Sequence, residues 1–240
     1  MPHADSSYFA PGLSKAEVYS QVLEQAKGLL DGQRNWVCIP YLQPMPLYRC
    51  PMVTIASIAS IASIPSMMAI FNRSYANKNA YTGIIKVSNL ANVASLLWHA
   101  YAALPTPSSN VNWAGFYVRQ DKFPSLASPD SDTKGTPSTK TLLLGPFQGK
   151  PACQLIQFGR GVCGAAAERR ETVLVTDVLN WEGHIACDAE SRSEIVVPIL
   201  VNGETVAIID VDCTQPSGFD DVDRQWLEAL AAILSDSCDW

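Results

Sequence analysis

The 240-residue sequence has little of what would mark several protein classes. Basic residues are outnumbered, 17 against 23 acidic ones, and the formal net charge of −6 argues against a broad nucleic-acid or anionic-membrane surface. Seven cysteines are too few for a disulfide scaffold at this length, and the number is odd. No C-x2-C pair occurs, so a zinc knuckle lacks its usual ligand spacing. Met1 to Pro11 holds no apolar run that reads as a secretory leader. These absences lead to the expectation of a soluble, intracellular protein with mostly reduced thiols. What is present, 48% hydrophobic residues, is enough for a sizeable core.

The sharpest absence is local. The 50 residues Cys38–Val87 contain Arg49, Arg73, Lys78 and Lys86 but no Asp or Glu. They hold four of the five Met, five Pro and an Ile-Ala-Ser triplet repeat from Ile55 to Ile64. Without them, 190 residues remain with 13 basic and 23 acidic side chains, a net charge of −10. Cys50–Asn72 is uncharged for 23 residues, long enough to span a bilayer. Its repeat serines, Pro65 and lack of Leu argue against a membrane anchor. The flanks favour an insertion. Ser14 and Glu17 form a capping-box pattern, followed by Tyr19, Val22, Leu23, Ala26, Leu29 and Leu30 at helical spacing. Leu90, Ala94, Leu97, Trp98 and Tyr101 repeat that spacing beyond the insert. With Cys38–Val87 excised, Trp36 falls four positions before Leu90, so the two flanks read as one helical segment. The insert therefore reads as a translated intron or gene-model error, with a long natural surface loop as the rival.

The remaining chain reads as strands joined largely by hairpins, with helices at both ends. Asn110–Val118 alternates, with Trp113, Gly115 and Tyr117 on one face and Ala114, Phe116 and Val118 on the other. Gln120–Lys140 is a Ser/Pro/Asp-rich loop, expected to be flexible. Leu142–Gln148 and Thr172–Thr176 read as strands, and Gly161–Arg169 as an Ala-rich helix between them. Ser193–Val201 and Glu204–Cys213 flank Asn202 and Gly203, a strong hairpin signal. Phe219, Val222, Trp226, Ala229, Leu230 and Ile233 form a terminal amphipathic pattern whose Asp220, Asp221 and Asp223 suit a helix N-terminus. The fold class is α+β, a single domain on an antiparallel sheet covered by helices on at least one face.

Three features carry candidate chemistry. Period two puts Val206, Ile208, Asp210 and Asp212 on one strand face, with Glu194 across the hairpin. Carboxylates in so apolar a strand need cations, protons or water, unless the strand simply emerges into solvent. A metal site and a pocket for a cationic group are the functional alternatives. The second feature is Cys153, Cys163 and Cys187, with His184 three residues before the last. Such thiols are buried packing groups, a redox set or, with poorer spacing, a zinc site. Trp113 and Tyr117 are the third, serving as core or as walls of a ligand pocket.

Several segments in order resemble the free methionine-(R)-sulfoxide reductase family. They are Leu144–Cys153, Gly159–Gly164, Gly183–Asp188, Ser193–Pro198 and Asp210–Asp212. The resemblance covers about Ser14–Val37 and Ser88 to the C-terminus, and Cys38–Val87 has no counterpart in it. It implies a GAF-type domain with a central antiparallel sheet and helices on both sides, spanning residues 14–240 after a flexible 1–13. It implies reduction of free L-methionine-(R)-sulfoxide, with Cys187 as nucleophile and Cys163 and Cys153 as candidate resolving thiols. Trp113 and Tyr117 would wall the pocket, and Glu194, Asp210 and Asp212 would hold the ammonium or donate a proton. No metal or cofactor is expected, and thioredoxin is the expected reductant. A cytoplasmic or also nuclear location, a homodimer, and no nucleic-acid or membrane partner complete the expectations. The insert is expected to break a helix covering the pocket side. A non-catalytic GAF ligand sensor and a metal-dependent hydrolase are the rival functions. Three neighbouring acids cannot all ionise cheaply, so one should be protonated and able to protonate the sulfoxide oxygen. Sequencing the mature transcript checks the insertion: a dominant species lacking codons 38–87 is expected, and full-insert reads as the dominant species would refute it.

Overall fold

The computed structural model describes residues 9–31, 89–123, 138–185 and 188–240. The insert Cys38–Val87, most of the Gln120–Lys140 loop and Cys187 lie outside the described residues. The described residues belong to one compact unit.

In chain order the elements are α1 (Lys15–Leu30), α2 (Asn89–Ala102), β1 (Val111–Arg119), β2 (Thr141–Gly149), β3 (Leu155–Gln157), α3 (Gly161–Arg169), β4 (Val173–Val175), β5 (Ser193–Val201), β6 (Glu204–Cys213) and α4 (Asp221–Ser237). The six strands form one sheet, ordered β3-β2-β1-β6-β5-β4, with antiparallel neighbours throughout. This is the expected α+β architecture. The β5–β6 hairpin turns at Asn202 and Gly203, whose φ of 52° and 77° are both positive, as a two-residue turn of matching twist requires. The short strand β3 carries too few residues for a period-two signal, and the sequence pattern does not disclose it.

Alternation along the strands divides the interior in two. Ala114, Phe116, Val118, Ile195, Val197 and Ile209 pack under α1, α2 and α4. Trp113, Tyr117, Val196 and Ile208 turn to the other face, where α3 covers them with Val162, Cys163 and Ala166. Helices therefore lie on both faces. Val206 departs from the expected set: a register shift between Ile199 and Leu200 leaves it without a ladder partner, and it joins the α1/α2/α4 core.

The flanks of the insert are not one helix. Helix α1 ends at Leu30, and Tyr19 in α1 meets Tyr101 in α2 ring to ring and hydroxyl to hydroxyl. A straight helix, rising about 1.5 Å per residue, would hold these residues tens of ångströms apart even without the insert. The pattern was helical on both sides, but periodicity carries no information on where a chain reverses. Both helices pack on the face opposite α3. Phe9, ahead of Ser14, is buried in the same core.

The three large helices converge on one carboxylate. Asp223 is fully buried. It accepts from Tyr19 Oη at 2.7 Å and from Lys15 Nζ at 2.6 Å, and it closes a capping box with Asp220 at the start of α4. Tyr101 Oη approaches it at 3.3 Å. Asp223→Ala would leave Lys15 with only the exposed Asp220 and the two buried tyrosine hydroxyls with only each other. Urea unfolding of this variant should show a loss of about 1–3 kcal/mol, and an unchanged stability would refute the network's role.

Candidate active site

The pocket begins with register. Glu194 of β5 faces Asp212 of β6, and Asp212 in turn faces Trp113 of β1. Asp210 lies between Val196 and Gly115 on the same face. One side of the sheet thus gathers three carboxyls and the Trp113–Tyr117 pair over three adjacent strands. Helix α3 closes this side because Gly164 lets its first turn approach β3: a Cβ there would lie 2.3 Å from the Gln157 carbonyl oxygen. The cavity so formed measures about 210 Å³, small for an organic ligand site and fit for a ligand the size of an amino acid. Trp113, Tyr117, Cys153, Cys163, Glu194, Asp210 and Asp212 all line it.

The acids are crowded and dry. Glu194 and Asp210 are 6% and 4% exposed. Burial raises the pKa of Glu194 well above the carboxylate range, and the charges of Asp212 and Asp210 raise it further. Burial lifts Asp210 to about 7. Burial and Asp210 together raise Asp212. One Asp210 oxygen, Oδ1, has no hydrogen-bond partner. The pocket is therefore built to keep a proton among its acids near neutral pH, or to take up a cation that stabilises their charge.

The thiols divide. Cys163, in the first turn of α3, is buried and donates to Glu194 Oε1 at 3.4 Å. Burial first, then the nearby Asp210 and Glu194, push its pKa well up, so it stays a thiol rather than the nucleophilic thiolate. Cys153, half-buried at the pocket wall, is disulfide-bonded. Cys163, Cys213 and Cys238 are thiols, so none of them is its partner. Cys213 and Cys238 are buried in the α1/α2/α4 core, the packing role expected of them. Cys163, Glu194 and Asp210 each present one possible ligand atom within 4.8 Å of the others, a set a metal ion could use.

Further residues join the site: His184, which stands out in the sequence beside Cys187, and Asp188, Asn112 and Ser191, for which the sequence pattern gives no role. His184 lines the pocket with Nε2 at 3.9 Å from Glu194, and burial lowers its pKa. Asp188 accepts from Asn112 Nδ2 at 2.8 Å and pairs with Lys150 at 3.3 Å. These contacts tie the chain just after Cys187 to β1 and to the end of β2. Ser191 receives a second Asn112 bond at 3.0 Å. Asp188 stood within a motif, but its partners are some 40 and 76 positions away, beyond the reach of spacing arguments.

A ligand pocket between one face of a six-stranded antiparallel sheet and a short helix is the arrangement of a GAF domain. The family model described as GAF domain matches residues 91–237. The free methionine-R-sulfoxide reductase of Saccharomyces cerevisiae is 40% identical over 237 residues, covering 98% of this chain and 94% of the yeast protein. A solved GAF domain is 39% identical with a TM-score of 0.69, covering 100% of this chain and 98% of that one. The free methionine-R-sulfoxide reductase from Neisseria meningitidis, solved in complex with its substrate, is 29% identical with a TM-score of 0.59, covering 95% of each chain. The chain belongs to the free methionine-R-sulfoxide reductase family of GAF-domain proteins.

The raised Asp210 pKa makes a stability prediction. Unfolded, Asp210 titrates near 3.9; folded, at about 7. The folded state is favoured while the group is protonated, and that contribution fades as pH rises from about 4 through about 7. Asp210→Asn removes the buried charge. Its stability relative to the parent should therefore increase from pH 5 to pH 8, by on the order of 3 kcal/mol. Denaturant titrations at both pH values check this; a difference independent of pH would refute it.

Proposed function

We propose that this chain reduces free methionine-R-sulfoxide to methionine through a cysteine sulfenic acid and a disulfide, with a thioredoxin-class dithiol as reductant and no resident metal or cofactor. The observation that carries the reading is the meeting of a disulfide-bonded cysteine and three carboxyls, two of them buried, in one cavity of about 210 Å³. Cys187 is the nucleophile. Its thiolate attacks the sulfoxide sulfur while a protonated carboxyl of the Glu194/Asp210/Asp212 set supplies a proton to the oxygen. The oxygen passes to Cys187 as a sulfenic acid and methionine is released. A second thiol then displaces water to form a disulfide. Cys153 is the better resolving thiol, because it is disulfide-bonded whereas Cys163 is a buried thiol beside acids. An incoming dithiol reduces that disulfide by exchange.

The acids also account for selection of a free amino acid. They favour an α-ammonium, which a methionine residue inside a chain lacks, and the small cavity leaves no room for flanking residues. Trp113 and Tyr117 wall the thioether end. Among the described residues no helix is long and apolar enough to cross a membrane. A cytoplasmic location fits a reductase that draws on a cellular dithiol pool. The insert Cys38–Val87 is taken to be absent from the working form. Its flanking helices support the face opposite the pocket, so its effect falls on folding before chemistry.

A metal-dependent hydrolase is the second reading, favoured by the convergence of Cys163, Glu194 and Asp210. Stoichiometric zinc or magnesium in the purified protein would support it. For the reductase, Cys187→Ser should abolish reduction of free methionine-R-sulfoxide, with the S epimer and peptide-bound sulfoxide left unreduced by parent and variant alike. Cys153→Ser should yield about one methionine per protein molecule and then stall under thioredoxin. Full activity of Cys187→Ser would refute the nucleophile. A stall in Cys163→Ser with Cys153→Ser unaffected would assign resolution to Cys163 instead.

A further inference from the structure

One cluster in the cavity wall can do more than the reductase reading asks of it. Cys163 in the first turn of α3, Glu194 of β5 and Asp210 of β6 each present one ligand atom, and these atoms lie within 4.8 Å of one another. Cys163 Sγ stands 3.4 Å from Glu194 Oε1. Tetrahedral zinc, with bonds of about 2.0–2.3 Å to oxygen and sulfur, sets two such ligands about 3.5 Å apart. That edge already has the spacing zinc requires, and the Asp210 carboxyl has only to close on it.

A second observation points to a cation. Asp210 is 4% exposed, lines the cavity and leaves Oδ1 without a hydrogen-bond partner. A buried carboxylate oxygen with no donor is costly unless positive charge meets it. The exposed Leu155 and Ile185 line the same cavity, so it reaches the surface and offers an ion a way in. The donor types choose the ion. Mg2+ and Ca2+ take oxygen ligands and avoid thiolate, whereas one sulfur with two carboxylates suits zinc. Three protein ligands leave the fourth position to water.

We infer that Cys163, Glu194 and Asp210 form an exchangeable Zn2+ site whose occupation blocks the pocket. The blocking effect rests on the proposed reductase reading: the ion takes two of the acids that would hold the substrate ammonium or protonate its oxygen. On binding, the Cys163 thiol releases its proton to solvent and its sulfur bonds the metal, with no transfer of electrons. Zinc and free methionine-R-sulfoxide then oppose each other, each weakening the other's binding by the same factor. The ion is an inhibitor here, whereas a hydrolase would require it for turnover. The site does not draw on Cys153, which is disulfide-bonded while Cys163 is a thiol.

The test titrates the oxidised, metal-stripped full chain with Co2+, whose bond to a thiolate gives a near-ultraviolet charge-transfer band. Cys38→Ser and Cys50→Ser are included throughout so that the insert's thiols add no band. One equivalent should produce the band, and Zn2+ should displace it. The band should be lost in Cys163→Ser and kept in Cys213→Ser, with near-ultraviolet circular dichroism checking the fold of each. Asp210→Asn should weaken Co2+ and Zn2+ binding by on the order of 100-fold or more, beyond the loss that a residue supporting a ligand gives. Activity is read as a single turnover of the reduced chain freed of dithiol, because a dithiol would itself take the metal. One equivalent of Zn2+ should cut methionine formation about 10-fold or more in the parent, and less than about two-fold in Cys163→Ser relative to that variant's own zinc-free rate. No stoichiometric band in the parent, a band that survives in Cys163→Ser, or equal inhibition of parent and Cys163→Ser would each overturn the inference. A metal-free parent that forms no methionine would overturn the reductase reading, while the cobalt titrations of parent, Cys163→Ser and Asp210→Asn would still decide the site.

Discussion

The site rests on the pairing of β5 with β6. Their turn at Asn202 and Gly203 sets which residues face each other, and a slip by one position would send every side chain to the opposite face. With the observed register, Glu194 and Asp212 are neighbours across the ladder and Asp210 follows on the same face. Under α1, α2 and α4 the same carboxyls would be buried charges in a closed apolar core. Under α3 they meet a cavity instead. The register shift that takes Val206 to the other face lies near the turn, well away from the acids, so the face is preserved where the chemistry needs it.

The same crowding decides what the thiols are able to do. A thiol beside buried carboxyls is held protonated, and Cys163 is in that position. A nucleophile needs the opposite environment, partly exposed and away from negative charge. A sulfoxide reductase has two conflicting needs, acid at the oxygen and thiolate at the sulfur. The acids sit on the sheet, Cys153 on the chain between β2 and β3, and Asp188 is braced to Asn112 and Lys150.

Much of this is legible in the sequence because the deciding signals are short-range. Alternation in β1 put Trp113 and Tyr117 on one strand face, and the Asn-Gly turn fixed the β5–β6 hairpin. The Ala-rich run gave α3 with the same limits, Gly161 and Arg169. Other features depend on contacts between distant residues. Asp223 reads as a helix-dipole acid; its burial by Lys15 and Tyr19 follows only once α1 and α4 are adjacent. The fold-back of α1 against α2 is likewise a tertiary fact, and periodicity alone joined what the structure separates. The unpaired Oδ1 of Asp210 needs a count of partners, which sequence cannot supply.

Buried unpaired groups have to be offset elsewhere in the fold. Here the pocket side of the sheet, with its crowded acids and unpaired Asp210 Oδ1, lies back to back with the side that α1, α2 and α4 cover. There Tyr19, Tyr101 and Lys15 converge on Asp223 and two capping boxes close the ends of α1 and α4. The two sides share strands, so the hydrogen-bonded ladder that α1, α2 and α4 pack against is the one that holds the three carboxyls at fixed spacing. A proton or a ligand ammonium is then the cheapest way to relieve their repulsion. In the proposed function, selectivity follows from this stored electrostatic cost rather than from an extensive set of contacts.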